Sequence, residues 1–266
     1  MRKAIFFDID GTLINSFGGR KDISPRVKKS LRLLQKEGHY IFIATGRPYA
    51  FLDEIIRDFG FDGYILANGA HVMVNEKTIH SQSMEEKFVK SFVSMLDKNK
   101  IEYVLEDEKN SYLKPSQKNF ADFFEKIGIL EECFKPEYEL DSLQVHKIEV
   151  LCPTSEILND CIEFISEYPQ YNYCNSIHPT HLEVYLKENH KASGILKAID
   201  YLDIPIEQTY AFGDGMNDIE MLSTVGCGIA MGNASSEVKK YAKQITEGVD
   251  CDGVASGIEK YVLNAI

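Results

Sequence analysis

With 266 residues, 44% of them apolar, the chain is long enough for one large domain or two modest ones and has ordinary material for a core. A formal net charge of −12 argues against holding nucleic acid by its phosphate backbone, and no apolar run approaches the length of a membrane span. The six cysteines show no Cys-x-x-Cys pair or other metal spacing, and Asp8 interrupts the first apolar run before it could serve as a signal peptide, so the expectation is a cytoplasmic protein with free thiols.

The first apolar run, Ala4 to Phe7, predicts a buried strand. Asp8 and Asp10 follow it, and residues two apart in extended chain point the same way. Two carboxylates on one side of a strand end repel unless a cation or a shared proton compensates them. Gly11 turns the chain and Thr12 adds a hydroxyl. Gly11 comes too soon after the second Asp for an EF-hand calcium loop. Ser24-Pro25 predicts a helix start, with Val27, Leu31 and Leu34 on its inner face and Gly38 as its stop. A strand Tyr40–Ala44 leads into Thr45-Gly46-Arg47-Pro48, and Pro48 predicts a helix running to about Phe59. A strand Tyr64–Ala67 runs into Asn68-Gly69-Ala70, and residues 71–81 read as a hairpin turning at Asn75-Glu76.

The rhythm then changes. A helix over 84–98, strands near 101–106 and 111–114, a helix near 116–127, a strand 145–151, a helix 155–167 and strands 171–175 and 181–186 predict a separate α+β module. The first rhythm resumes with a helix Lys191–Leu202, whose inner face is expected to carry Ile195, Leu196, Ile199 and Leu202. A strand Thr209–Phe212 ends in Gly213-Asp214-Gly215-Met216-Asn217-Asp218; a helix to Thr224, a strand Gly228–Met231 and two more helices follow. The fold class is α/β: a Rossmann-like doubly wound parallel sheet formed by residues 1–82 and 188–266, with an α+β domain inserted over 83–187. In such sheets ligands sit beyond the C-terminal strand ends.

Asp8 and Asp10, Thr45-Gly46, Lys191, and Asp214, Asn217 and Asp218 all fall at such ends or at helix starts. Three or more carboxylates converging on one rim imply a hard divalent cation, most naturally Mg2+. A carboxylate nucleophile, a metal and donors aimed at phosphate suit phosphoryl transfer.

On these residues the chain resembles the haloacid dehalogenase superfamily, specifically its Cof-type phosphatases of subclass IIB with a C2B cap. Asp8-Ile-Asp-Gly-Thr-Leu13 matches the first motif, Thr45-Gly46-Arg47 the second, Lys191 the third and Gly213-Asp-Gly-Met-Asn-Asp218 the fourth; Asn68-Gly-Ala70 and Asp252-Gly-Val254 also resemble family segments. The insert between the second and third motifs corresponds to a C2 cap. The resemblance implies that Asp8 is nucleophile and Mg2+ ligand, that Asp10 is acid/base and binds Mg2+ through its carbonyl, and that Asp214 is the third ligand. It implies that Thr45, the Gly46 and Ile9 amides, Lys191 and Asn217 hold the transferring phosphoryl group, and that Asp218 orients Lys191 or a metal-bound water. The family often has Lys-Gly at the third motif; here it is Lys191-Ala192, and no loss is expected because Ala is the better helix former.

The expected reaction is Mg2+-dependent hydrolysis of small phosphorylated metabolites, sugar phosphates or phosphorylated cofactors, through an aspartyl-phosphate. A phosphomutase-type phosphotransferase and a non-catalytic regulatory protein on the same fold remain alternatives. In the cap, His178, His181 and Glu183 are candidate specificity residues, with Tyr185 on the same strand face as His181 and Glu183. Arg47 either braces its loop or meets substrate. His39, His71 and His80 read as ordinary surface or hairpin residues. A monomer or weak homodimer is expected.

Overall fold

The computed structural model describes residues 1–15, 19, 22–175 and 178–263. Two compact units divide the chain: Met1–Gly46, Asp53–His80 and His190–Ile266 form one, and Arg47–Leu52 with Ser81–Asn189 form the other.

The first unit opens with β1 (Ala4–Phe7), α1 (Pro25–Lys36), β2 (Tyr40–Ala44), α2 (Glu54–Arg57), β3 (Gly63–Leu66), β4 (His71–Val74) and β5 (Lys77–Ser81). The apolar run of β1 is buried along its whole length, because parallel strands of such a sheet are covered on both faces. Ser24 caps α1 by accepting from Val27 N at 3.2 Å, Pro25 opens it, and Val27, Leu31 and Leu34 are buried. The turn between β4 and β5 has positive φ at Asn75 and Glu76, as a two-residue hairpin with the right-handed twist requires.

The second unit contains α3 (Glu86–Lys98), β6 (Glu102–Glu106), β7 (Ser111–Tyr112), α4 (Lys118–Lys126), β8 (Phe134–Lys135), β9 (Lys147–Leu151), α5 (Ser155–Ser166), β10 (Tyr171–Cys174) and β11 (His181–Leu186). Its sheet order is β10-β11-β9-β6-β7-β8, antiparallel but for β7 with β8. On one face Phe88 and Phe92 of α3 and Leu158, Cys161 and Ile165 of α5 pack with Tyr103, Leu105, Ile148, Val150, Leu182 and Val184. On the other, Val104 packs with Phe120 and Phe124 of α4.

The chain then returns to the first unit with α6 (Lys191–Leu202), β12 (Thr209–Gly213), α7 (Ile219–Thr224), β13 (Cys227–Ala230), α8 (Ser236–Lys239), β14 (Gln244–Ile245) and α9 (Gly253–Gly257). The completed sheet runs β14-β13-β12-β1-β2-β3-β4-β5, and β14 through β3 are parallel. The doubly wound sheet with an inserted α+β domain is therefore the observed architecture. All six cysteines are free. Among the described residues no helix is long and apolar enough to cross a membrane.

Two local expectations fail, and one strand is added. The helix expected from Pro48 to Phe59 is split into a 3-10 turn (Tyr49–Phe51) and the short α2, with extended backbone at Leu52 and Asp53 between them. Phe51 decides this: its ring packs against Phe124 at 5.4 Å and Phe134 at 5.3 Å, and the aromatic contact overrides the helical pattern. Leu196 is 46% exposed, because the buried face of α6 runs through Ile195, Ala198 and Ile199. Strand β14 was not expected; both its residues are exposed at the sheet edge, so no apolar pattern marks it.

Candidate active site

Beyond β1 the chain folds back on one carbonyl: the Leu13 and Ile14 N–H groups both donate to Ile9 O at 3.0 Å, and Gly11 N donates to Ile14 O at 2.8 Å. Gly11 has φ +82°, and a Cβ on it would lie 2.2 Å from Asp214 Oδ2, so the position needs glycine twice over. Asp8 is 7% exposed at the end of the strand. Its Oδ1 is 2.6 Å from Lys191 Nζ, and Lys191, the first residue of α6, is itself completely buried. The other side of the ammonium meets Asp218 Oδ1 at 2.6 Å.

Asp218 organises the loop after β12. Its Oδ2 accepts from Asp214 N at 2.9 Å and Gly215 N at 2.8 Å, so its carboxylate ties this loop to Lys191. Asp214 is held by Thr12 Oγ1, which donates to its Oδ1 at 2.9 Å. At the end of β2, Thr45 is buried, and Asn68 N after β3 donates to Thr45 O at 3.1 Å. A Cβ on Gly46 would stand 3.1 Å from Asn68 Oδ1 and 3.6 Å from Asn217 Nδ2, and Asn217 Nδ2 donates to that same Asn68 oxygen at 3.4 Å. Strands β1, β2, β3 and β12 thus bring Asp8, Thr45-Gly46, Asn68, Asp214, Asn217 and Asp218 together across the middle of one sheet.

A family model of haloacid dehalogenase-like hydrolases matches residues 5–258. The chain belongs to that family. It is 30% identical over 262 residues to the Bacillus subtilis (strain 168) protein YkrA, covering 97% of each chain. From the same organism, a 5-amino-6-(5-phospho-D-ribitylamino)uracil phosphatase, YitU, is 29% identical over 270 residues, with 97% of this chain and 96% of that one covered. Among solved structures, the subclass IIB sugar phosphatase BT4131 superposes with a TM-score of 0.80 at 28% identity, covering 98% of this chain and 99% of that one.

The donor set of this haloacid dehalogenase-like hydrolase fits a hard divalent cation. Asp8, Asp214 and Asp218 each offer a carboxylate oxygen within 4.8 Å of the others. Burial first, and then the Asp218 charge, push Asp214 up to about 6. Burial also raises Asp8; Lys191 opposes this, and Asp218, Asp214 and Asp10 add to it. A bound cation relieves this crowding. Lys191 behaves oppositely: burial favours the neutral amine, but Asp218 and Asp8 outweigh it and hold the ammonium above its ordinary range.

The cap candidates separate. His181 is 1% exposed and bonds Glu149 Oε2 through Nε2 at 2.9 Å, while Glu183 accepts from Lys147 Nζ at 3.1 Å. Both share a sheet face with Glu106, Lys147 and Glu149, because directly paired residues of β6, β9 and β11 point the same way. Lys147 also meets Glu149 at 2.9 Å and Glu106 at 3.3 Å. His178 is exposed, with its Nδ1 3.1 Å from Thr180 Oγ1 and its ring 6.4 Å from that of Phe123. Arg47 donates to Phe51 O at 3.1 Å and so braces its own loop. His71 lies in the hairpin but is 1% exposed and bonded to Thr78.

Asn233 escaped the sequence reading. Its Nδ2 donates to Gly11 O at 2.9 Å and Asp214 Oδ2 at 3.1 Å, and its Oδ1 accepts from Val249 N at 2.9 Å. The signal was available: it stands just past β13, at the same kind of strand end as the residues that were singled out.

Proposed function

We propose that this chain is a Mg2+-dependent phosphatase that hydrolyses small phosphorylated metabolites, sugar phosphates or phosphorylated cofactors, through an aspartyl-phosphate on Asp8. The observation that carries the reading is the buried contact of Asp8 with Lys191 at 2.6 Å, beside two further carboxylates. A carboxylate held in place by a fixed ammonium is a nucleophile with its own orienting partner. Two relatives named for polyhydroxylated phosphates, YitU and BT4131, support the substrate class.

In this mechanism an Asp8 oxygen forms a bond to phosphorus while the bond to the leaving oxygen breaks. Asp10 gives its proton to that oxygen, then takes one from the water that attacks phosphorus and frees Asp8. Thr45, the Gly46 and Ile9 amides, Lys191 and Asn217 hold the phosphoryl oxygens, and Asp218 keeps Lys191 in register. Mg2+ would be held by Asp8, the Asp10 carbonyl and Asp214, where it supplies charge neutralisation for the phosphoryl group. His178, His181 and Glu183 are the candidates for substrate choice in the cap.

The test is phosphate release from a panel of phosphorylated metabolites, with Mg2+ and after exhaustive chelation. Release that vanishes on chelation and returns with Mg2+, but poorly with Ca2+, is expected. Full activity in the chelated enzyme sinks the metal assignment, and transfer to an added sugar in place of water favours a phosphotransferase.

A further inference from the structure

The second unit carries two cysteines that the periodicities of its elements bring together. Ile148 and Val150 on β9, and Cys152 just past its end, alternate and are all buried in the core that α3 and α5 cover. On α5, Leu158, Cys161 and Ile165 recur at helical spacing and are buried in the same core. Cys152 Sγ comes to 3.8 Å from Cys161 Sγ, and the two residues are 1% and 0% exposed. Both are free thiols and both belong to the same unit.

The pair is close but not bonded. A disulfide needs about 2.05 Å between its sulfurs, so these two have to approach by roughly 1.8 Å from 3.8 Å. Sγ is the first atom beyond Cβ, and turning about χ1 supplies movement of that size. Closure inside a packed core leaves strain, and strained disulfides are the easily reduced ones. The two thiols are also uneven. Their mutual hydrogen bond lowers Cys152 below the ordinary thiol value, although burial opposes it. The same bond pushes Cys161 up, and burial adds to that. Cys152 is the easier of the two to ionise, and the thiolate is the reactive form. It stands next to Pro153 and Thr154, both exposed, so the surface is one residue away.

We propose that Cys152 and Cys161 are a redox modification site: hydrogen peroxide converts them to an intrachain disulfide that pins α5 to the end of β9, and a thiol reductant reverses it. In the first step the Cys152 thiolate attacks a peroxide oxygen and the O–O bond breaks. The hydroxide that leaves takes up the proton the thiol gave up, so water and a sulfenic acid result. In the second, the Cys161 sulfur attacks the Cys152 sulfur and the S–O bond breaks. The hydroxyl leaves with the Cys161 proton as a second water. Two thiols thus give two electrons and two protons to one peroxide. In a reducing compartment such a pair rests as thiols and closes transiently. The inference is independent of the phosphatase reading.

The experiment treats the whole folded protein with hydrogen peroxide and removes the excess with catalase. Remaining thiols are then alkylated in denaturant, and the chain is cleaved after its glutamates. Cleavage after Glu156 separates the two cysteines. Mass spectrometry is expected to find the Cys152 and Cys161 peptides joined and two hydrogens lighter than the separate pair. Dithiothreitol added before alkylation is expected to return both thiols. In Cys161→Ala the first step has no second, and dimedone is expected to trap a sulfenic acid on Cys152. The exposed Cys251 reports that the oxidant was effective. Oxidation of Cys251 while Cys152 and Cys161 are both still alkylated overturns the proposal and leaves the pair as core packing alone. A link from Cys152 to any other cysteine overturns it as well, and so does a link that dithiothreitol fails to open. A Cys161→Ala protein that dimedone does not label at Cys152, with Cys251 oxidised, overturns the route through the Cys152 thiolate.

Discussion

Lys191 is a completely buried cation with a carboxylate 2.6 Å away on either side. Removing one partner of a buried charge group leaves the others uncompensated, a loss of about 3–5 kcal/mol. Lys191→Met is expected to destabilise the protein by about that much in the absence of metal, and Asp218→Asn added to it should recover part of the loss; equal stability of Lys191→Met and wild type in urea unfolding would contradict the geometry. Gly11 makes a second residue-scale test. Alanine there meets both a positive φ and the Asp214 carboxylate. Gly11→Ala should raise the Mg2+ concentration for half-maximal activity roughly tenfold or more, from about 1.4 kcal/mol of lost binding, while a similar change at exposed Gly38 should not. Motif residues were legible because their chemistry is unusual at a strand end. Asn233 was not, because a lone asparagine in sequence is an ordinary loop residue and only its partners distinguish it.

Elements were legible where periodicity and local chemistry agree. Ser24-Pro25 starts α1, the apolar runs of β1 and β2 match the structural strands, and Asn75-Glu76 turns the hairpin. They were illegible where a distant contact decides: Phe51 breaks the expected helix for the sake of Phe124 and Phe134, which lie far beyond any local window of sequence. The turn from β6 to β7 shows how a short element can depend on one side chain. Asp107 Oδ1 accepts from Lys109 N at 2.8 Å and Asn110 N at 2.7 Å, and Oδ2 accepts from Tyr112 OH at 2.8 Å. Burial raises its pKa, but these donors outweigh burial and hold the carboxyl below its ordinary value. A depressed folded pKa stabilises above the unfolded value of about 3.9 and ceases to do so as pH falls through the folded one. Asp107→Ala should therefore cost about 1–2 kcal/mol at neutral pH, and the difference from wild type should shrink as denaturant titrations are taken below about pH 4. A difference that grows towards acid would mean that the carboxylate is not the group holding the turn.

Over the whole molecule, the return of the parallel-sheet rhythm after residue 190 is what made the inserted domain visible, and the two sheets bear it out in kind. The segment Arg47–Leu52 was invisible at this scale, since it belongs by packing to the second unit although its sequence neighbours belong to the first. An isolated first unit has to allow for this packing. Replacing 84–186 by a short linker strips Phe51 of Phe124 and Phe134, so the excised core is expected to remain soluble only with Phe51→Ser as well; equal solubility with Phe51 intact would count against this packing. The proposed reaction stands on Asp8 as nucleophile with Asp10 as acid and base. Asp10→Asn separates the two, because a nitrophenolate leaves without a proton while water attack on the aspartyl-phosphate needs a base. The direct measurement is rapid-quench release of nitrophenolate from p-nitrophenyl phosphate by Asp10→Asn at high enzyme concentration with Mg2+. The expected result is a burst stoichiometric with enzyme followed by a nearly flat phase, with the phosphoryl group recovered on the peptide that contains Asp8. No burst from a folded, Mg2+-binding Asp10→Asn enzyme, or a phosphoryl group on any other residue, would contradict it.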